Sequence, residues 1–398
     1  MSSVSAVVRR SILFLSCSTF SSMVAQRICD AMLPQLSREF GASLTESAQT
    51  VSVFAVAYGL AQLIYGPLGD RLGKFKVITF ATLACSVGSV LSAFAPNLHV
   101  LVFARVLVAL GAAAIIPMSI AWVGDNVPYD KRQETLARLS LGSTMGIVGG
   151  QLFGGVFTDT LGWRWAFALM TVQFGVVAWV LFIDWRRQGF PGGAKASGHA
   201  APSFVRQALQ IVRGGWSRVV LITAFVEGAA GFGMMAIWAS HLHHELGLSL
   251  SASGGVAALF GLGGVGYIVG SKQLIAKLGE RGLSAWGAAI MGVFALVLAW
   301  TPVWWLALPA CLSAGFGFFM FHNTMQTNAS QMAPKSRGTA MSSFAACLFL
   351  GQSVGVITAA SLTGLLGSAW VITLGAVIMA VMGTLFSYGI KHRDVWAA

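Results

Sequence analysis

The sequence predicts an all-α membrane protein with twelve transmembrane helices in two pseudo-symmetric six-helix halves. Of its 398 residues, 56% are hydrophobic and only 10% are charged, which leaves too little polar surface to coat a soluble globule. Apolar segments of about the 20 residues needed to cross roughly 30 Å of hydrocarbon recur along the whole chain. Lys and Arg lie almost entirely at the termini and in every second loop between these segments, as expected for a multi-pass protein.

The apolar segments are assigned as helices 1 to 12 in chain order. No small-residue cleavage site follows the first segment, which is too long for a signal-peptide core, so we expect it to remain as helix 1. The predicted spans are Ser11–Leu36, Ala48–Leu68, Val77–Phe94, Val100–Val123, Leu136–Phe157, Arg164–Asp184, Val219–His241, Ala252–Leu274, Leu283–Trp300, Val303–Asn328, Gly338–Leu362 and Ala369–Ile390.

The distribution of Lys and Arg predicts the orientation of the chain. All but four of the 25 lie at the termini, in the central loop, or in the loops after helices 2, 4, 8 and 10, which we call the basic side. Arg38 and Arg164 lie on the opposite, far side, whereas Arg27 and Arg105 lie within spans. The positive-inside rule places the basic side and both termini in the cytoplasm. The net charge of +12 is thereby explained without a nucleic-acid partner.

The chain is expected to divide at its basic central loop. We predict an N-terminal six-helix bundle at residues 1–185, a cytoplasmic linker at 186–218, and a C-terminal six-helix bundle at 219–398. Within the linker, PSFVRQALQIVRG from Pro202 mixes apolar and basic residues at helical spacing and predicts an interfacial helix. The glycines at 142 and 146 recur at 351 and 355, an offset of 209 that indicates a faint internal repeat.

The stretch GPLGDRLGKFK turns between helices 2 and 3 and resembles the signature loop of the major facilitator superfamily of transporters. The segment LVFARVLVALGAAA resembles the helix 4 motif of that superfamily, with Arg105 six residues before Gly111. The resemblance implies the major facilitator fold, alternating access and a gate in which Asp70 faces the start of helix 11. The residues assigned to this gate are Gly66, Asp70, Arg71, Gly73 and Lys74.

Helix 5 contains GSTMGIVGGQLFGG, which resembles the antiporter motif of exporters in the superfamily. Its glycines leave a face almost without side chains, so that a neighbouring helix can come close. The sequence departs from the motif at Ile147, where the family has proline, which weakens the inference of export. The glycines that we add to the conformational gate are Gly142, Gly146, Gly149 and Gly150.

Four ionisable residues lie within the predicted spans, where each charge costs at least about 2.5 kcal/mol at the helix centre. Arg27 and Asp30 lie three residues apart on helix 1, Arg105 lies in helix 4 at a similar depth, and Glu227 lies in helix 7. The Asp30 region also resembles the helix 1 motif of drug/proton antiporters, which implies a proton-binding carboxylate. We assign all four to proton coupling. Two alternatives stay open: Arg27 and Asp30 only neutralise each other, and Glu227 is a neutral, hydrogen-bonded structural residue.

Polar side chains at helical spacing are candidates for the lining of a substrate cavity. Hydrogen bonding between helices is the alternative explanation for each of them. These residues are Ser22, Gln26, Tyr58, Gln62, Tyr65, Gln151, His322, Asn323, Gln326 and Gln352.

No nucleotide-binding loop, Ser/His/Asp set or metal-ligand series stands out, so we expect no enzyme, no metal and no cofactor apart from a proton gradient. The predicted function is proton-coupled export of a small organic compound or drug across the inner membrane, by a monomer that alternates access. The rivals are a proton-coupled importer of a sugar or small metabolite, and a non-transporting sensor of the same fold.

Overall fold

A computed structural model describes residues 6–188, 204–333 and 336–393, and all regular secondary structure in these residues is helical. The helices of the N-terminal set are α1 Ala6–Arg27, α2 Leu33–Phe40, α3 Leu44–Ser47, α4 Gln49–Leu72, α5 Lys74–Ala93, α6 Leu98–Asn126, α7 Tyr129–Thr160 and α8 Trp163–Gln188. The linker contains α9 Phe204–Arg213. The helices of the C-terminal set are α10 Gly215–Val226, α11 Gly233–Ala236, α12 Trp238–Leu246, α13 Leu250–Trp300, α14 Trp304–Gln331, α15 Arg337–Leu366 and α16 Ser368–Lys391.

The helices account for twelve membrane crossings, as predicted. Among the described residues, 10 helical segments are long and apolar enough to cross a membrane. One of them, α13, has 51 residues and bends at Gly279 with φ 61°, so it contains predicted helices 8 and 9. The twelfth crossing is predicted helix 5, which corresponds to α7 and is not among these 10 segments. It has 32 residues, and its glycines and polar side chains lower its hydropathy.

Helices 1 and 7 cross the membrane at the predicted positions, but each contains an irregular turn that segment length and hydropathy do not reveal. In helix 1, α1 ends at Arg27, and a 3₁₀ turn at Asp30–Met32 leads into α2. Pro34 explains this break, because it has no N–H to donate to the Asp30 carbonyl and its ring crowds that carbonyl. In helix 7, a π-helical turn at Glu227–Phe232 separates α10 from α11. Such turns are found mostly as single-turn bulges, frequently at functional sites.

The contact between helices 1 and 5 recurs between helices 7 and 11. Gly142 lies against the Ser16 carbonyl oxygen, and Gly351 lies against the Phe225 carbonyl oxygen. Both members of the second pair are shifted by 209 residues, the offset expected from the sequence. The two sets therefore share one packing pattern. The boundaries at 185 and 218 stay a prediction, and residues 189–203 of the predicted linker lie outside the described part.

The two sets meet on the far side through α7 with α13 and through α4 with α15. There the Asp159 carboxylate accepts a hydrogen bond of 2.5 Å from the Ser251 backbone N–H, which joins α7 to α13. A hydroxyl pair, Thr45 and Ser361, lies at 3.3 Å between α3 and α15. These contacts close the far end between the sets.

Candidate functional site

The break in helix 1 places a buried ion pair at the centre of the N-terminal set. The Nη1 atom of Arg27 lies 3.4 Å from Oδ2 of Asp30, and both side chains have no exposed surface. Because α1 ends between them, the carboxylate sits in the 3₁₀ turn rather than on a regular helical face. The pairing expected from their spacing of three residues is present.

Gln151 of α7 completes the cluster around Asp30. Its Nε2 atom donates a hydrogen bond of 2.9 Å to Oδ2 of Asp30. Several buried atoms of the same three residues have no hydrogen-bond partner within the described part of the chain: Arg27 Nε and Nη2, Asp30 Oδ1, and Gln151 Oε1. Buried polar atoms are normally hydrogen-bonded, so this cluster has unused donors and acceptors for a proton, water or ligand.

Arg27 also connects the two sets. Its guanidinium carbon lies 4.3 Å from the centre of the Phe232 ring, at the end of the π-helical turn of helix 7. An arginine over an aromatic face contributes about 2 kcal/mol when both groups are desolvated. The charge state of Asp30 therefore bears on a contact between the N-terminal and C-terminal sets.

Arg105 is buried, but its hydrogen bond is not to Asp30. Its Nε atom donates to the Thr50 carbonyl oxygen at 3.2 Å, and its guanidinium stacks over the Phe54 ring at 4.2 Å. Its Nη2 atom has no hydrogen-bond partner among the described residues. The contacts place Arg105 as a brace between α6 and α4, beside the Asp30 cluster.

Glu227 forms a second buried cluster in the C-terminal set. Its Oε1 atom lies 2.8 Å from Nδ1 of His322 on α14, and the glutamate has no exposed side-chain surface. On the other side of the imidazole, Nε2 of Gln326 lies 3.0 Å from Nε2 of His322. Gln326 is exposed near the basic end of α14, so the chain of groups runs from a buried carboxyl towards solvent. The second carboxyl oxygen, Oε2, has no partner within the described residues.

The remaining cavity candidates divide into those that join the sets and those that do not. Gln26 donates to the Gln352 side-chain oxygen at 3.3 Å across the interface between the sets. Tyr58 is buried, and its ring centre lies 4.5 Å from that of Phe349 on α15. Gln62, one turn further along α4, is also buried.

Three further candidates donate hydrogen bonds to backbone carbonyl groups, and their position in a substrate cavity stays a prediction. Ser22 donates to the Ala112 carbonyl oxygen of α6 at 3.1 Å, and Asn323 donates to the Phe319 carbonyl oxygen of its own helix at 2.8 Å. Tyr65 donates to the Leu110 carbonyl oxygen and lines a groove on the outer surface. Periodicity places these residues on a polar face, and a neighbouring carbonyl group accepts one hydrogen bond from each of them.

The predicted gate loop is shorter than expected. Helix α4 continues to Leu72 and α5 begins at Lys74, so Gly73, with φ 90°, is the single residue between them. A left-handed backbone is available to glycine at little cost, which explains the tight turn. Arg71 is exposed and Lys74 forms an ion pair with Asp125 at the end of α6. The side chain of Asp70 lies outside the described part, so the role of Asp70 stays a prediction.

The helix 5 glycines pack α7 against α1 directly behind the Asp30 cluster. A Cβ atom at Gly150 would lie 2.7 Å from Cβ of Arg27 and 2.9 Å from the Val24 carbonyl oxygen. At Gly149 the nearest atoms are the tip of Phe20 at 3.1 Å and a Val24 methyl group at 3.3 Å. The backbone contact at Gly150 cannot yield, whereas the side-chain tips at Gly149 can.

We therefore expect Gly150→Ala to lower the unfolding temperature by several degrees and to weaken transport, because it pushes Arg27 away from its contacts. The matched variant Gly149→Ala should change either quantity little. Thermal unfolding in detergent and dye transport in vesicles check both. Equal effects of the two variants would contradict this account of the packing.

Comparison with known proteins decides the family. A model of the Major Facilitator Superfamily matches residues 15–356. The chain belongs to the Major Facilitator Superfamily. It is therefore a multi-pass membrane transporter rather than an enzyme, and the resemblance expected from its signature loop is confirmed.

Similar proteins include multidrug transporters. The chain is 31% identical over 167 residues to the probable multidrug resistance protein EmrY of Escherichia coli, a match that covers 42% of this chain and 32% of the relative. It is 28% identical over 162 residues to the multidrug export protein EmrB of Escherichia coli, covering 41% and 31%. These matches span about a third of the length of both relatives.

Solved transporters share the fold. The structure superposes with a TM-score of 0.77 on a POT family transporter in complex with a thioalcohol conjugated peptide, covering 98% of this chain and 97% of that one. The two chains are 12% identical, so this similarity concerns the fold alone.

Sequence reasoning missed the partners that complete the site. Phe232, Phe54 and Thr50 contact the two buried arginines, yet an isolated Phe or a backbone carbonyl carries no signal in an apolar helix. The glycines around 228–233 were the available signal for the irregular turn in helix 7.

Proposed function

We propose that this transporter exports small lipophilic organic compounds from the cytoplasm across the inner membrane in exchange for protons, with Asp30 as the proton site. The observation that carries the proposal is the fully buried Asp30 carboxylate, which Arg27 and Gln151 hold through one oxygen while the other has no partner among the described residues. A carboxyl group in this setting can exist charged, paired with Arg27, or protonated and neutral.

Coupling follows from the two contacts of Arg27. When Asp30 is charged, it attracts the guanidinium towards the 3₁₀ turn of helix 1. When Asp30 is protonated, that attraction is lost, and the balance shifts towards the Phe232 ring of the C-terminal set. A change in contact between the sets biases the equilibrium between outward-open and inward-open states. The far-side contacts between the sets support this proposal, because they keep the far side closed in one of these two states.

Glu227 and His322 offer a second proton-binding pair closer to the basic side. Phe232 lies five residues after Glu227 on a helix that runs away from the basic side, so the carboxyl lies nearer the basic side than the Arg27 contact. In this proposal a proton that leaves Asp30 is transferred to the Glu227–His322 pair and then towards Gln326. In this proposal both acids take part in coupling, with Asp30 as the primary site.

Two observations bear on the direction of transport, one in favour of export and one against it. The relatives named as multidrug resistance and export proteins favour export. In contrast, α7 is continuous through Ile147, where a proline would kink the helix of an exporter motif. The second function to be tested is therefore proton-coupled import by the same fold.

A single experiment separates the alternatives. Purified protein is reconstituted in liposomes with a trapped pH-sensitive dye and a clamped membrane potential, and ethidium, a permanently charged lipophilic cation, is added outside. Exchange moves protons out as ethidium enters, so the lumen should become alkaline, whatever the orientation of the protein. Acidification of the lumen would instead establish symport, and ethidium uptake without any pH change would overturn proton coupling. Protein-free liposomes are the control.

A further inference from the structure

A groove of about 610 Å³ runs along the outer surface of the N-terminal set, away from the Asp30 cluster. Helix α6 packs closely against both α4 and α5, whereas α4 and α5 make few contacts with each other. Helix α6 therefore forms the floor of the groove, and α4 and α5 form its walls. Gly88 and Gly111 lie in the lining, and Leu72, Phe80 and Leu110 expose apolar side chains beside it. The groove therefore opens to the surroundings of the helices rather than to the interior.

The chemistry of the lining is nearly uniform. The hydroxyl of Tyr65 donates to the Leu110 carbonyl oxygen, so this side chain leaves no unsatisfied donor in the groove. The charged residue of the lining is Lys76, at the basic end. An occupant of this groove should therefore be a long apolar chain with a negative charge at one end.

The dimensions match one leaflet of a bilayer. Lys76 and Val87 line the groove at positions 11 residues apart on α5, a distance of about 16 Å along the helix. This is about half of the roughly 30 Å hydrocarbon core of a bilayer. The Lys76 ammonium lies 5.7 Å from the centre of the Trp185 ring at the basic end of the groove. With the apolar walls in hydrocarbon, this end of the groove would lie at the headgroup level of the basic-side leaflet, where long basic side chains place their charge.

We propose that this groove binds one anionic diacyl phospholipid, with an acyl chain along α6 and the headgroup phosphate on Lys76. In a chain that spans the membrane, bilayer lipid is the molecule that meets this surface, and the single basic group at one end complements an anionic headgroup. The lipid would contact Leu68 and Leu72 before the Gly73 turn and Lys76 after it. Its binding therefore restrains the predicted gate loop from the membrane side.

Native mass spectrometry of delipidated protein tests the site. On titration with dioleoyl phosphatidylglycerol, the wild-type protein should retain one lipid more tightly than any further ones. Ala84 is exposed in the groove, and Ala84→Trp should fill the groove and remove this tight site. Ala276→Trp, at an exposed position of α13, is the matched control and should retain it. An unchanged tight site in Ala84→Trp would overturn the proposal.

The headgroup contact has its own test. Lys76→Gln should weaken phosphatidylglycerol binding about five-fold, as expected for the loss of one basic residue at an anionic lipid surface. Lys277→Gln, at an exposed position of α13, should leave it unchanged. Zwitterionic phosphatidylcholine should bind the wild type more weakly and be insensitive to either variant. Equal binding of the two lipids, or displacement of the lipid one for one by ethidium, would show that the groove is not an anionic lipid site.

Discussion

Asp30→Asn should reduce the ethidium-driven pH change in liposomes to below about a tenth of the wild-type rate. The Asn side chain neither binds nor releases a proton, whereas the Asp30 carboxyl can be protonated because its buried site disfavours charge. The variant keeps the size of the side chain and its place beside Arg27 and Gln151. Ethidium bound by the protein should still be detectable by fluorescence. The proton movement that accompanies its passage should be lost.

Asp184→Asn provides the matched control for this result. Asp184 is also buried, but it forms an ion pair with Arg10 at the basic end of the N-terminal set, away from the interface between the sets. This variant should keep the coupled pH change, even if its expression is lower. Coupled proton movement in Asp30→Asn at the wild-type rate would exclude Asp30 as the proton site.

The second large effect is expected on the stability of the protein when the Arg27–Asp30 ion pair is broken. Arg27→Gln leaves the Asp30 carboxylate buried without its partner and should lower the free energy of unfolding by about 3 kcal/mol. Asp30→Asn alone leaves Arg27 buried and unpaired and should also be costly. The double variant should cost clearly less than the sum of the two single changes, by about 1 to 3 kcal/mol, because neither side then keeps an unpaired charge.

Reversible unfolding in mixed detergent micelles measures this cycle. The matched cycle uses Arg164 and Glu39, an ion pair on the far side with about a third or more of each side chain exposed. Their coupling should be below about 1 kcal/mol, because water screens exposed charges. Additive costs for Arg27 and Asp30 would mean that the pair contributes no interaction energy, and the coupling proposed for Arg27 would lose its basis.

The buried charges show how far sequence reasoning reaches into the site. Arg27, Asp30, Arg105 and Glu227 are identifiable because charged residues are rare and costly within membrane spans. The spacing of three residues also predicts the Arg27–Asp30 pair, which the structure contains. Arg105 was expected at the same depth as Asp30, but depth alone does not select a partner, and its guanidinium bonds the Thr50 carbonyl instead.

The sequence by itself determined the membrane class, the twelve crossings and the positions of the buried charges, because these follow from composition, segment length and the local cost of burying a charge. Only the tertiary structure decided which groups meet. Phe232 stacks on Arg27 and His322 pairs with Glu227 because residues distant in sequence are brought together by helix packing and by irregular turns in helices 1 and 7. Such contacts depend on three-dimensional placement, which helical periodicity does not encode.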